Sequence, residues 1–166
     1  GKKGMMVSAV DLLKGIAVGA GMGVAEVKGA NGGLHTNYAG KVDAAMKALT
    51  EDGYDFAYIH VEAPDEMGHQ GSVERKVQAI ELLDERLIRY VKEAMDASGE
   101  DYRMLILPDH PTPIEVRTHT SEPVPYLLYD STNLQENDWE YSERCAEAGG
   151  ICHPRGHELI DYLFSK

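Results

Sequence analysis

Residues 55–69 read D-F-A-Y-I-H-V-E-A-P-D-E-M-G-H and combine an apolar run with a polar segment. Its first half, residues 55–62, is a short apolar run that predicts a buried β-strand, and polar residues follow it directly. Longer segments of helical period separate this run from four others. Because short strands that alternate with helices are typical of β-α-β units, the sequence predicts an α/β domain with a mostly parallel sheet. The other predicted strands are residues 5–10, 22–27, 103–107 and 124–129.

The clearest predicted helix spans residues 73–95. Ser72 precedes it as a plausible N-cap. Apolar residues recur at steps of three and four, and this stripe is expected to face the core. The stripe consists of Val73, Val77, Ile80, Leu83, Leu87 and Val91. Shorter helices are predicted at residues 11–19, 38–49 and 155–164, and a polar loop at residues 130–141.

Composition bounds the class of protein. The chain has 166 residues and is 43% hydrophobic, which suffices for one domain with a buried core. Its 28 acidic and 16 basic residues give a net charge of -12, which disfavours nucleic-acid or membrane-surface binding and favours a cation. Asp11 and Lys14 interrupt the first apolar stretch, so no membrane span is predicted. Two cysteines close together, Cys145 and Cys152, cannot form a disulfide framework for a domain of this size. This favours a reducing compartment, the cytoplasm.

A carboxylate and an imidazole follow each of two predicted strands. Asp65 and His69 come after the third strand, and Asp109 and His110 come after the fourth. His119 lies shortly before the fifth. Because ligands of open α/β sheets bind beyond the carboxyl ends of the strands, we expect these side chains to form a site there. Neighbouring side chains leave an extended backbone in opposite directions, so Asp109 and His110 would suit a site with more than one ion.

These side chains predict a metal centre. Mixed carboxylate and imidazole ligands suit Zn²⁺, Mn²⁺ or similar ions. Two such ions ~4 Å apart can bind both oxygens of a transferring phosphoryl group. The alternative is that each residue is a solvated loop residue, as a single Asp or His usually is. The grouping of three histidines and two aspartates around consecutive strand ends favours the metal centre.

Other polar residues carry weaker hypotheses. Glu62, Thr118 and Thr120 either orient the histidines or are exposed loop residues. Lys41 is predicted to be a solvated residue at the start of a helix rather than a ligand for a substrate phosphate, and His35 a surface loop residue. A zinc site is disfavoured near the carboxyl end because the paired C-x-x-C spacing is missing. That region contains Cys145, Cys152, His153 and His157.

Three motifs together resemble a known family. They are residues 60–69 (H-V-E-A-P-D-E-M-G-H), 107–113 (L-P-D-H-P-T-P) and 117–125 (R-T-H-T-S-E-P-V-P). They resemble the archaeal-type cofactor-independent (2,3-bisphosphoglycerate-independent) phosphoglycerate mutases, which belong to the alkaline phosphatase superfamily. Residues 7–17 (V-S-A-V-D-L-L-K-G-I-A) and 36–41 (T-N-Y-A-G-K) are similar to the same family. The resemblance extends from about residue 4 to residue 130, and more loosely through residues 156–160.

The resemblance implies a fold and a ligand set. The fold would be a three-layer α/β/α arrangement with a mostly parallel sheet, an alkaline-phosphatase-like core that is incomplete here. Asp65, His69 and His119 would hold one divalent ion, and Asp109 and His110 would help to hold a second. Mn²⁺ or Zn²⁺ is expected, with Mg²⁺ or Co²⁺ as alternatives. In the family an Asp and a nucleophilic Ser complete the ligand set of the second ion. Neither of their segments is recognised in this sequence, so no catalytic residue is assigned.

The resemblance also implies an activity. The family interconverts 3-phosphoglycerate and 2-phosphoglycerate in glycolysis through a phosphoserine intermediate, which makes it an isomerase. Residues 1–166 are expected to form the C-terminal part of the phosphatase-like domain, without its N-terminal part and the inserted substrate domain. The fragment alone is therefore expected to be inactive, and its substrate-binding residues are not assigned.

Partners and alternatives follow from the same reasoning. Phosphoglycerate is the expected substrate, in the cytoplasm, with no nucleic acid or membrane as partner. An exposed sheet edge would favour a homo-oligomer. One alternative is another metal-dependent phosphatase or phosphotransferase of the alkaline phosphatase superfamily. The other is a catalytically inactive binding or assembly module.

Overall fold

A computed structural model describes residues 1–165, in which short strands alternate with helices. The strands are β1 (Gly4–Val7), β2 (Gly23–Val24), β3 (Phe56–Ile59), β4 (Arg103–Ile106) and β5 (Leu127–Asp130). The helices are α1 (Asp11–Gly19), α2 (Tyr38–Thr50), α3 (Ala63–His69), α4 (Val73–Leu83), α5 (Arg89–Ser98), α6 (Glu143–Gly149) and α7 (Leu159–Phe164). A π-helical turn, Asp84–Ile88, joins α4 to α5, and a 3₁₀ turn, Gly156–Glu158, precedes α7.

The chain divides into two compact units. Unit 1 comprises Gly1–Gly99 and Thr112–Thr118, and unit 2 comprises Glu100–Pro111 and the residues from His119 onward. None of the helices among residues 1–165 is long and apolar enough to cross a bilayer.

Unit 1 contains a parallel three-stranded sheet in the order β2-β1-β3. Met5 of β1 pairs with Gly23 on one side and with Ala57 on the other. Parallel neighbours need a crossover connection, which α1 and α2 provide. The predicted α/β fold with a parallel sheet is therefore confirmed.

Unit 2 departs from the predicted parallel arrangement. Its strands β4 and β5 form a separate antiparallel pair, in which Arg103 faces Asp130 and Ile106 faces Leu127. No helix lies between β4 and β5, and an antiparallel pair needs no helical crossover. The orientation of this pair was not visible in the apolar pattern, since strands of either direction give similar short runs.

The long predicted helix is present, but its inner face was predicted wrongly in the first half. Val73, Val77 and Ile80 are 63%, 49% and 52% exposed. Ala79 is buried instead, in a cluster with Ala63 and Met67 of α3. The prediction failed because α3, a helix that the sequence pattern did not reveal, packs on the side of α4 that carries Ala79.

The larger part of the unit 1 core forms where α2 meets the end of α4 and the π-helical turn. Tyr38 and Val42 of α2 pack there with Leu82 and Leu87. Leu87 was correctly placed on the inner face. α2 also contacts β1 and β3, so this core fixes the strand that leads into α3.

Candidate metal centre

Helix α3 carries the first predicted carboxylate and imidazole pair. Pro64 lies in its first turn, where proline needs no hydrogen-bond partner, and the acidic residues Asp65 and Glu66 favour a helix start. Asp65 and His69 are four residues apart on one face of this helix. The distance between His69 Nε2 and Asp65 Oδ2 is 3.3 Å. The helix thus brings together the two side chains that the sequence pattern predicts to bind metal.

Thr112 orients the Asp65 carboxylate. Its hydroxyl donates a hydrogen bond to Asp65 Oδ1, and the residue is 4% exposed. The Thr112 carbonyl accepts a hydrogen bond from Lys76 Nζ at 2.6 Å. A Cβ at Gly68 would lie 2.6 Å from that carbonyl oxygen, so only glycine lets α3 approach so closely. Sequence reasoning missed the role of Thr112, because nothing in the local pattern relates it to α3.

The backbone of Arg117 contacts the second ligand candidate of unit 1. Its carbonyl oxygen lies 2.9 Å from His69 Nδ1. A hydrogen bond from an imidazole N–H to a backbone carbonyl is a common support for a metal-binding histidine. Nδ1 of His69 therefore contacts a backbone carbonyl, and Nε2 faces the Asp65 carboxylate.

Lys41 is fully buried, which contradicts its prediction as a solvated residue. Its ammonium donates to the carbonyl of His60 at 2.8 Å and to Glu62 Oε2 at 3.4 Å. Burial lowers the pKa of Lys41 below its usual value, although Glu62 opposes this. Lys41 reaches its partners because α2 packs against β3, a long-range contact that a local pattern does not reveal.

Glu62 is also buried, so its interpretation as an exposed loop residue is wrong. Burial raises the pKa of Glu62, but the hydrogen bond with His60 and the charge of Lys41 together lower it by more. The pKa of Glu62 therefore lies below its usual value. The carboxylate therefore remains charged in the interior, where Lys41 compensates it.

Ser8, His60 and Glu62 do not form a nucleophilic triad. Ser8 Oγ lies 3.3 Å from His60 Nδ1, and Glu62 Oε1 lies 3.7 Å from the same nitrogen. A triad needs the hydroxyl and the carboxylate on opposite ring nitrogens. Ser8 Oγ also accepts a hydrogen bond from the backbone of Val10, which suits a structural role.

Unit 2 carries the other three predicted ligands. The rings of His110 and His119 stack with their centroids 3.7 Å apart. Asp109 Oδ2 lies 3.5 Å from His110 Nε2. Asp109 and His110 occupy a bend beyond β4 rather than extended backbone, so their side chains converge and do not point to opposite sides as expected. The Thr120 backbone donates to Pro111, which closes the loop between the two histidines.

The other polar residues that the sequence analysis considered are not among these proposed ligands. His35 is exposed, as predicted. His153 packs edge-on against Tyr126 and Tyr162, an aromatic arrangement that gives no support to a zinc site there. Cys145 and Cys152 are free thiols. Thr118 is exposed.

The donor chemistry of both units fits a divalent metal ion. Unit 1 offers a carboxylate and an imidazole that are held by Thr112 and Arg117. Unit 2 offers two imidazoles and a carboxylate. Such mixed oxygen and nitrogen donors suit Zn²⁺ and similar ions. The fold and these residues together define the class, an α/β domain whose loops carry carboxylates and imidazoles with the donor chemistry of a metal site.

The chain belongs to the Metalloenzyme superfamily, whose sequence profile matches residues 1–166. Membership in this superfamily implies binding of a divalent metal. The parallel sheet with its helices and this membership fit an alkaline-phosphatase-like core.

The chain is similar to proteins named 2,3-bisphosphoglycerate-independent phosphoglycerate mutase. It is 48% identical to that of Methanothrix thermoacetophila, with 99% of the chain and 42% of the relative covered. Identity to the protein of Methanosarcina mazei is 46%, with 98% and 41% covered. A relative from Geobacter sulfurreducens, named as a probable enzyme of this kind, is 42% identical, with 100% and 41% covered. The chain thus spans about two fifths of the length of these relatives.

A solved structure supports the fold. The PH0037 protein from Pyrococcus horikoshii aligns with a TM-score of 0.80 and 32% sequence identity. The alignment covers 98% of this chain and 48% of that protein.

Proposed function

We propose that this chain is part of a 2,3-bisphosphoglycerate-independent phosphoglycerate mutase and supplies ligands for two divalent metal ions. The observation that carries the proposal is the pair Asp65 and His69 on α3, whose ligand atoms lie 3.3 Å apart. The identity of 42–48% to proteins of that name over nearly the whole chain supports the substrate class.

The proposed ligands are divided between two ions. Asp65, His69 and His119 hold one ion, and Asp109 and His110 help to hold the other. Mn²⁺ or Zn²⁺ is the proposed metal, with Mg²⁺ or Co²⁺ as alternatives. When bound, divalent ions neutralise phosphoryl oxygens and activate an oxygen nucleophile.

The chain's own residues orient these ligands. Thr112 donates to one oxygen of Asp65, which directs the other oxygen toward His69. Both Thr112 and Arg117 lie in Thr112–Thr118, the part of unit 1 that follows β4 in the sequence.

The proposed reaction interconverts 3-phosphoglycerate and 2-phosphoglycerate in glycolysis, in the cytoplasm. A serine accepts the phosphoryl group and returns it to the other hydroxyl of glycerate. No residue of this chain is assigned as that serine, and the chain spans about two fifths of the length of its relatives. We therefore expect the 166-residue chain to bind metal without turning over phosphoglycerate. Self-association through its sheet edges is part of the proposal.

The test is a metal titration of the chain by isothermal calorimetry, with Mn²⁺ and Zn²⁺ separately. Asp65→Asn and His69→Gln should each weaken binding by at least about 10-fold, since each removes a ligand. The exposed His35 provides the matched control, and His35→Gln should bind like the wild-type chain. Equal affinity in all variants would contradict the ligand assignment. Mutase turnover by the purified chain would contradict the expectation that it binds metal without turning over phosphoglycerate.

A further inference from the structure

Arg117 has an unusual backbone conformation next to His69. Within residues 1–165 it is the one non-glycine residue with a positive φ, 58°. This left-handed region is unfavourable for a residue with a Cβ, and such residues often lie at functional sites. The conformation closes a turn in which the Arg117 backbone donates to Pro113 at 2.8 Å.

The turn directs the Arg117 carbonyl at the imidazole of His69. The distance from that oxygen to His69 Nδ1 is 2.9 Å. A carbonyl oxygen can only accept a hydrogen bond, so this contact is a hydrogen bond only when Nδ1 carries the proton. In the neutral ring the lone pair then belongs to Nε2, the nitrogen that lies 3.3 Å from Asp65 Oδ2.

The Arg117 side chain adds a second contact at the end of α3. A Cβ at Gly71 would overlap the guanidinium of Arg117, so the two residues are in close contact. Gly71 itself has a φ of 68°, which continues the chain beyond α3 in a turn. The side chain thus packs two residues beyond His69, whereas the carbonyl contacts the imidazole directly.

We propose that Arg117 is a positioning residue for His69, because its left-handed backbone fixes the carbonyl that selects the Nδ1–H tautomer. This inference rests on the proposed function insofar as His69 binds metal through Nε2. The carbonyl, and not the guanidinium, carries the effect. A substitution matters only if it changes the backbone conformation at position 117.

Two variants separate the backbone from the side chain. Arg117→Gly removes the guanidinium but permits a positive φ. Arg117→Val also removes the guanidinium, and its β-branched side chain disfavours a positive φ. His35→Gln controls for loss of an unrelated exposed side chain, and the amide spectra of all variants report whether unit 1 remains folded.

The primary readout is the tautomer of His69 in the metal-free chain, measured by ¹⁵N NMR on the neutral imidazole. Wild type and Arg117→Gly should show the Nδ1–H form, and a folded Arg117→Val should show a mixture of tautomers. The second readout is Zn²⁺ affinity, which should fall by about 10- to 100-fold in Arg117→Val and remain close to wild type in Arg117→Gly.

Two results would overturn the inference. One is an Arg117→Val chain that retains the Nδ1–H tautomer. The other is an Arg117→Gly chain that loses it, since the guanidinium would then carry the effect. If Arg117→Val unfolds, Arg117→Gly still decides between backbone and side chain. Failure of every variant and the wild type to bind Zn²⁺ would refute the proposed function, whereas the metal-free tautomers would still decide the role of Arg117.

Discussion

Lys41 and Glu62 form an ion pair in the interior of unit 1, with 3.4 Å between Nζ and Oε2. The Lys41 side chain is 0% exposed and that of Glu62 is 9% exposed. The same ammonium binds the carbonyl of His60, at the point where β3 gives way to α3. One buried lysine on α2 therefore holds the segment from which α3 begins.

Removing one member of this pair should destabilise the chain strongly. Lys41→Met leaves the Glu62 carboxylate buried without its cation, and we expect a loss of about 3–5 kcal/mol in the free energy of unfolding. The double variant Lys41→Met with Glu62→Gln should recover part of the loss, because no unpaired charge remains. Urea unfolding followed by far-UV circular dichroism measures both.

The exposed pair Lys47 and Asp52 is the matched control for this prediction. Its two side chains are 59% and 41% exposed. Lys47→Met should change the unfolding free energy little, because solvent screens such a pair. A Lys41→Met chain as stable as Lys47→Met would show that the buried pair contributes nothing.

Gly68→Ala should disturb both stability and metal binding. The added Cβ would lie 2.6 Å from the Thr112 carbonyl, so α3 or the Thr112 segment must shift. We expect a loss of about 1–3 kcal/mol in unfolding free energy and weaker Zn²⁺ binding. Gly15→Ala in α1 is the control, since nothing lies within 4 Å of its Cβ, and it should raise helix stability. A Gly68→Ala chain as stable as Gly15→Ala would contradict the close packing of α3 against the Thr112 carbonyl.

Thr112→Val tests the hydrogen bond to the Asp65 carboxylate. Valine has nearly the shape of threonine but cannot donate to Asp65 Oδ1. Zn²⁺ affinity measured by calorimetry should fall by about 10- to 100-fold. Thr112→Ser keeps the hydroxyl and should bind metal more tightly than Thr112→Val. Equal affinity in the two variants would show that the hydroxyl does not orient the ligand.

The acid sensitivity of unit 2 should depend on Asp130. The hydroxyl of Thr132 and the guanidinium of Arg103 lower the pKa of Asp130 from 3.8 to about 2. A carboxyl whose pKa is lowered by folding stabilises the fold fully above its unfolded pKa, and the contribution is lost as pH falls toward the folded value. The melting temperature of wild type should therefore exceed that of Asp130→Asn near neutral pH, and the difference should shrink between about pH 4 and pH 2. A difference independent of pH would contradict this.

The elements that sequence patterns predicted well are those whose signals are local. Helix α1 has its predicted bounds, and α2 differs by one residue at its end. Helix α3 was missed because its seven residues are too few to show a helical period. The buried face of α4 then could not be predicted either, because α3 is the element that covers Ala79.

The candidate site likewise contains residues that local patterns predicted and residues that they did not. Strand-end motifs predicted Asp65 and His69 as partners in one site, because residue type and position after a strand are visible in the sequence, and the structure places their side chains 3.3 Å apart. Thr112 and Arg117 contact these two side chains across 47 and 48 residues of chain. Lys41 is likewise buried by contacts with residues 19 and 21 positions away. Such contacts depend on the folded path of the chain, which local spacing does not encode.

Anomalous scattering from a crystal of this chain soaked with Zn²⁺ tests directly whether α3 provides metal ligands. We expect a zinc peak within about 2.0–2.2 Å of Asp65 Oδ2 and His69 Nε2. Asp65→Asn crystals soaked in the same way should lose that peak or show it much weaker. A wild-type crystal with zinc bound elsewhere and none at Asp65 and His69 would contradict the claim that α3 provides metal ligands.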